Sequence, residues 1–109
     1  MEEKNTFNSL KVLYFFLDEN FEDLFSKCTD DDQRQQLRHD YVIVRDGFYQ
    51  ARNLVFDDND PVVNSLSKRL TDSQKEMQSM LKNLKNIAQI LDLVTNSVNL
   101  ASRLIVLGA

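Results

Sequence analysis

The chain has 109 residues, 42% hydrophobic and 28% charged, with a formal net charge of −4. That length suits a single domain, the apolar share is too high for intrinsic disorder, and the acidic balance disfavours nucleic acid as a partner unless a local basic face intervenes. Two glycines and one proline leave little material for the turns of a sheet protein, so an all-α fold is expected.

A single cysteine, Cys28, cannot form an internal disulfide and fits a reducing compartment, so a cytoplasmic location is expected. The start, Met1, Glu2, Glu3, Lys4, lacks the basic run and long apolar stretch of a secretory signal. The most apolar windows, Val12 to Leu17 and Leu93 to Leu107, are short or interrupted by Asn96, Asn99 and Arg103. They fall below the roughly 18 to 20 residues that cross a bilayer.

The first predicted helix covers 7–28, where Phe7, Leu10, Tyr14, Leu17, Phe21, Leu24 and Cys28 alternate spacings of three and four, the seam of a coiled coil. Thr29, Asp30, Asp31 and Asp32 then offer an N-cap and first-turn carboxylates. The second helix, 30–56, repeats the seam at Leu37, Tyr41, Val44, Phe48, Ala51 and Val55. The turn at Asp30 places Cys28 beside about Arg34 and Asp18 opposite the residues around Val44, within reach of an ion pair with Arg45. Asp57, Asp58, Asn59, Asp60 and Pro61 mark the next turn and helix start.

From there the heptad runs unbroken through Val63, Leu66, Leu70, Ser73, Met77, Met80, Leu84, Ile87, Leu91, Val94, Val98, Ala101 and Ile105. A second apolar line at Ile90, Leu93, Ser97, Leu100, Leu104 and Leu107 doubles its width. The preferred reading is one long helix, 61–107, completing an antiparallel, heptad-patterned bundle in a single helical domain, 1–109. At about 1.5 Å per residue it would be about 70 Å long against about 33 and 40 Å for its partners. Its carboxyl-terminal half would then be uncovered, which implies self-association, most simply a dimer, through Ile90, Leu93, Val94, Leu100, Leu104 and Leu107. The alternative breaks this helix near Lys82 to Asn86 into a four-helix bundle. Against that break, the segment contains no Gly or Pro and the heptad passes through it in phase.

Signatures of chemistry are missing. His39 and Asp40 are adjacent and diverge by about 100° on a helix, and Cys28 reads as a small apolar filler. Asp18, Glu19, Glu22 and Asp23 form a solvated acidic face. Asp57, Asp58 and Asp60 lack the spacing of a calcium loop. No catalytic residue, cofactor or metal ligand is expected. Arg38, Arg45 and Arg52 recur every seven residues one place after the second seam, and either pair within the bundle or bind an acidic partner. Lys68, Lys75 and Lys82 form a solubilising stripe. The functional expectation is a small intracellular helical interaction module that self-associates and meets an unidentified protein partner. Peripheral membrane action through the apolar carboxyl-terminal helix is the second reading.

Overall fold

Three short polar side chains set the starts of three helices. Asp30 accepts from the Gln33 N–H at 2.8 Å, while the Gln33 side chain accepts from the Thr29 N–H at 2.7 Å. Asp60 accepts from the N–H groups of Val62 and Val63, with Pro61 at the first helical position, where its missing N–H costs nothing. Asn86 accepts from the Gln89 N–H at 3.2 Å and donates through its amide to the Gln89 side chain. In the computed structural model, which describes residues 5–82 and 86–108, the helices are α1 (Asn5–Lys27), α2 (Asp31–Ala51), α3 (Pro61–Met80) and α4 (Ile87–Gly108). The fold is an all-α bundle of four helices, with no strand among the described residues.

The preferred long helix is therefore corrected to two, as in the alternative reading. The physical reason lies partly in Asn86-Ile87-Ala88-Gln89, an Asn followed three residues later by Gln, which is the sequence of a reciprocal helix cap. No Gly or Pro was needed. Residues 83–85, including the heptad residue Leu84, lie outside the described residues. The second helix is shorter than its expected 30–56, because the chain leaves the helix after Ala51 and turns through Asn53 and Leu54, whose N–H groups bond back to Gln50 and Ala51. Phe56 then folds inward and is buried, while Val55, expected on the seam, is 76% exposed.

Side-chain pairs give the directions. Phe7 stacks on Phe48 while Arg38 covers Phe25, so α1 and α2 run oppositely. Ser73 touches Ser97 at 2.6 Å, so α4 returns along α3. Thr95 meets Gln36 and Asp40, and further along Ile105 faces Gly47, so α2 and α4 run the same way. Ser9 meets Ser67, Thr71 and Gln74, and further along Phe16 and Asn20 share a cleft with Gln78 and Leu81, so α1 and α3 do too. Consecutive α2 and α3 occupy opposite corners, without close backbone approach among the described residues. The connection from α2 to α3 therefore crosses one end of the bundle. Asp58 fastens that crossing by accepting from both the N–H and the hydroxyl of Thr6.

This arrangement has a reason in the side chains of α3. Ser67, Gln74 and Thr71 face α1, where the Gln74 amide donates to the Ser9 carbonyl at 2.7 Å and the Ser9 hydroxyl lies within 3.2 Å of those of Ser67 and Thr71. Small polar residues let the two backbones approach while each buried hydroxyl finds a partner. The apolar core is built by Leu13, Leu17, Leu24, Leu37, Leu70, Met77, Ile90, Leu91, Val94 and Leu104, each at most 1% exposed. Both apolar lines of α4 are needed because α4 packs on α3, on α2 and, more lightly, on α1.

Candidate functional site

The residues expected to mediate self-association lie mainly inside this core. Ile90, Val94 and Leu104 are fully buried, Leu100 nearly so, Leu93 is half-buried, and only Leu107 is exposed. The premise of that expectation, a stripe left uncovered by its own chain, does not hold in this fold. By length and composition α4 does meet the requirements of a membrane-crossing helix, contrary to the reading of its interruptions, and the face it buries is the one that closes the bundle.

The arginine stripe stands elsewhere. On α1, aliphatic Leu10, Leu17 and Leu24 point to the core, while Phe7, Tyr14 and Phe21, one heptad apart, sit half-buried at its edge. On α2, Leu37, Val44 and Ala51 are buried and Tyr41 and Phe48 take the edge. The two edges interlock. Phe48 lies between Phe7 and Tyr14 at centroid distances of 5.7 and 5.1 Å, and Tyr41 lies between Tyr14 and Phe21 at 6.2 and 5.2 Å. Phe25 extends the row beyond Phe21 at 5.7 Å, and Tyr49 beyond Phe48 at the same distance. Offset and tilted ring pairs at such distances stabilise by about 0.5 to 1.5 kcal/mol each beyond burial.

Each arginine of the stripe covers one ring of this row. Arg38 stands 4.7 Å from the Phe25 centroid, Arg45 5.9 Å from Tyr41, and Arg52 5.4 Å from Tyr49. A guanidinium stacked by its face keeps its N–H edge free for planar acceptors. The Arg45 side chain also reaches its neighbour Asp46 at 3.3 Å. Arg38 and Arg52 are in no ion pair among the described residues.

The expected ion pair between Asp18 and Arg45 is corrected. Asp18 instead accepts from the Tyr41 hydroxyl at 2.7 Å, and Tyr41 stands between it and Arg45. That hydrogen bond to a carboxylate, with burial second, holds the Tyr41 phenol well above its ordinary range. Burial, then hydrogen bonding with Tyr49, raises Tyr14 as well. All three tyrosines of the chain therefore share one face with three arginines. The row of rings went unread in the sequence, although it was signalled there: both seams place aromatics in one of their two heptad positions and aliphatics in the other.

The remaining candidates are dispersed. His39 is exposed, and Cys28 is buried with its thiol donating to the Leu24 carbonyl and pushed up in pKa by burial. Asp57, Asp58 and Asp60 serve the crossing and the α3 cap. Lys68, Lys75 and Lys82 are exposed on or just after α3. No group of three metal-ligating side chains converges among the described residues. Asp40 is buried between α2 and α4, accepting from Thr95 at 2.7 Å, and burial raises its pKa. Clefts of about 510 Å³ between α3 and α4 and about 460 Å³ between α1 and α3 are polar and open to solvent, unlike the enclosed apolar sites that hold small ligands.

Comparison with protein-family models, curated proteins and solved structures finds no match.

Proposed function

We propose that the chain is a helical protein-protein interaction module that presents the aromatic and arginine face of α1 and α2 to another protein. The observation that supports this reading is the gathering of Tyr14, Tyr41, Tyr49, Arg38, Arg45 and Arg52 on one outer face. Tyrosine and arginine dominate the energetically important positions of protein interfaces. A rigid row of rings also loses little side-chain entropy on association. The reading requires no catalysis, and it moves the contact surface from α4 to α1 and α2.

The test is photo-cross-linking in native cells with a benzophenone amino acid in place of Val42, which is 42% exposed among the arginines, and a control at exposed Gln78 on α3. Protein adducts at Val42 that disappear when Arg38 and Arg52 are replaced by Gln are expected. Equal adducts at both positions, or none at Val42, contradict the reading.

A further inference from the structure

The outer surface of α2 carries a second seam. Arg38, Val42, Arg45, Tyr49 and Arg52 follow one another at spacings of four, three, four and three, the periodicity with which a helix meets another helix. All but half-buried Arg45 are exposed. The core seam of α2 (Leu37, Val44, Ala51) is filled by its own chain, whereas this one is open. Across from it on α1, Lys11, Tyr14, Asp18, Phe21 and Phe25 repeat the pattern at three, four, three and four. The two lines flank the interlocked rings and together form a face along which one helix can lie.

Charge decides what kind. The three arginines are attached about 10.5 Å apart along α2, at about 1.5 Å per residue. Each lies over a ring, of Phe25, Tyr41 or Tyr49, and arginine binds a carboxylate with two parallel hydrogen bonds. On the α1 side the Asp18 carboxylate is engaged by Tyr41, and Arg38 and Arg52 have no acidic partner among the described residues. A second copy is a poorer occupant, because the acids of α1, Asp18, Glu19, Glu22 and Asp23, are clustered rather than spaced by seven.

We infer that the outer face of α1 and α2 receives an amphipathic helix of about four turns whose one flank bears carboxylates at seven-residue intervals, aligned with Arg38, Arg45 and Arg52. This inference rests on the proposed interaction function and names its partner by chemistry.

The probe is a synthetic helical peptide of about three heptads with Glu at one position of each heptad and Leu four residues later, compared with a peptide of equal composition whose glutamates are spaced by five. Binding to the full chain is read by fluorescence anisotropy. The spaced peptide is expected to bind at least about tenfold tighter than the permuted one. Its affinity should fall by a similar factor in Arg38→Glu/Arg52→Glu, and a peptide with Lys in place of Glu should recover it. Circular dichroism melting of each variant establishes that the bundle is intact, and Arg38→Gln/Arg52→Gln provides a milder variant if charge reversal unfolds it. Equal binding of both peptides, no binding at about 1 mM, tighter binding of duplex DNA or anionic vesicles, or a dimer of the chain that closes the face each overturn the inference. If the peptide fails while Val42 still yields arginine-dependent protein adducts, the partner is of another kind and the interaction function stands. If Val42 yields none, that function falls too.

Discussion

Asp18 and Arg45 are joined through a tyrosine rather than to each other: the Tyr41 hydroxyl donates to Asp18 at 2.7 Å, and Arg45 stands over the same ring. Tyr41→Phe keeps the ring and deletes the hydrogen bond, so it should cost about 0.5 to 1.5 kcal/mol. A double-mutant cycle with Asp18→Asn, read from urea midpoints, should show the two changes coupled. In Asp18→Asn alone, ultraviolet titration should find one phenol moved down towards the ordinary tyrosine range, because the hydrogen-bonded carboxylate is the first cause of its elevation. An unchanged titration together with zero coupling contradicts the contact.

Arg38 and Arg52 are expected to matter for recognition and little for folding. Replacing either with Gln removes one exposed cation-π contact, worth about 0.5 to 1 kcal/mol. Thermal melting of the two variants should therefore stay close to the parent. A cooperative loss of structure in either would assign the stripe to the scaffold.

Gly47 tests the packing of α2 on α4. A Cβ at this position would lie 2.7 Å from the terminal methyl carbon of Ile105, so Gly47→Ala sets a gain in helix propensity of about 1 kcal/mol against displacement of that methyl. Ile105→Val removes the methyl group itself. The double variant should be more stable than the sum of the single changes implies, by at least about 0.5 kcal/mol. Strict additivity would place Ile105 away from Gly47.

Asp40 supplies a pH dependence with a defined sign. Burial raises its folded-state pKa, with the Thr95 hydrogen bond opposing. The folded chain therefore holds this proton more tightly than the unfolded one, and the contribution favours folding in acid and is lost as pH rises through the folded pKa. Asp40→Asn keeps an acceptor for Thr95 without the charge. Urea midpoints should lie above the parent at neutral pH, with the difference shrinking as pH falls through the raised folded pKa and gone below the ordinary carboxylate range. A variant less stable than the parent at neutral pH would mean that the ionised carboxylate is stabilising.

The heptads of α1 and α2 made the helical class and the first hairpin legible, because apolar spacing and Asp30 act locally. Topology was less so. The phase of the heptad through Met80 and Ile87 argued for continuity, yet phase records only which side of each piece is buried, and Asn86 with Gln89 carried the cap that starts a new helix. The crossing from Ala51 to Asp60 depends on Phe56 finding the end of the bundle and on Asp58 finding Thr6, contacts that exist only after the chain has folded. For the site, the positions of Arg38, Arg45 and Arg52 were evident. Their stacking on rings depends on α1 bringing Phe25 to Arg38, and on which of two apolar seam positions each aromatic fills.

In this fold α4 folds back and closes the bundle within one chain, which leaves the aromatic and arginine face of α1 and α2 on the outside. Ser73 and Ser97 touch at 2.6 Å between hydroxyl oxygens, whereas in one continuous helix they would be about 36 Å apart. The measurement is oxidation of Ser73→Cys/Ser97→Cys in a Cys28→Ala background, with the disulfide mapped by mass spectrometry after denaturation. A cross-link within one chain, at the monomer mass, is expected. Disulfide-linked dimers as the sole product would contradict it, since they would show that α4 reaches α3 only in another copy.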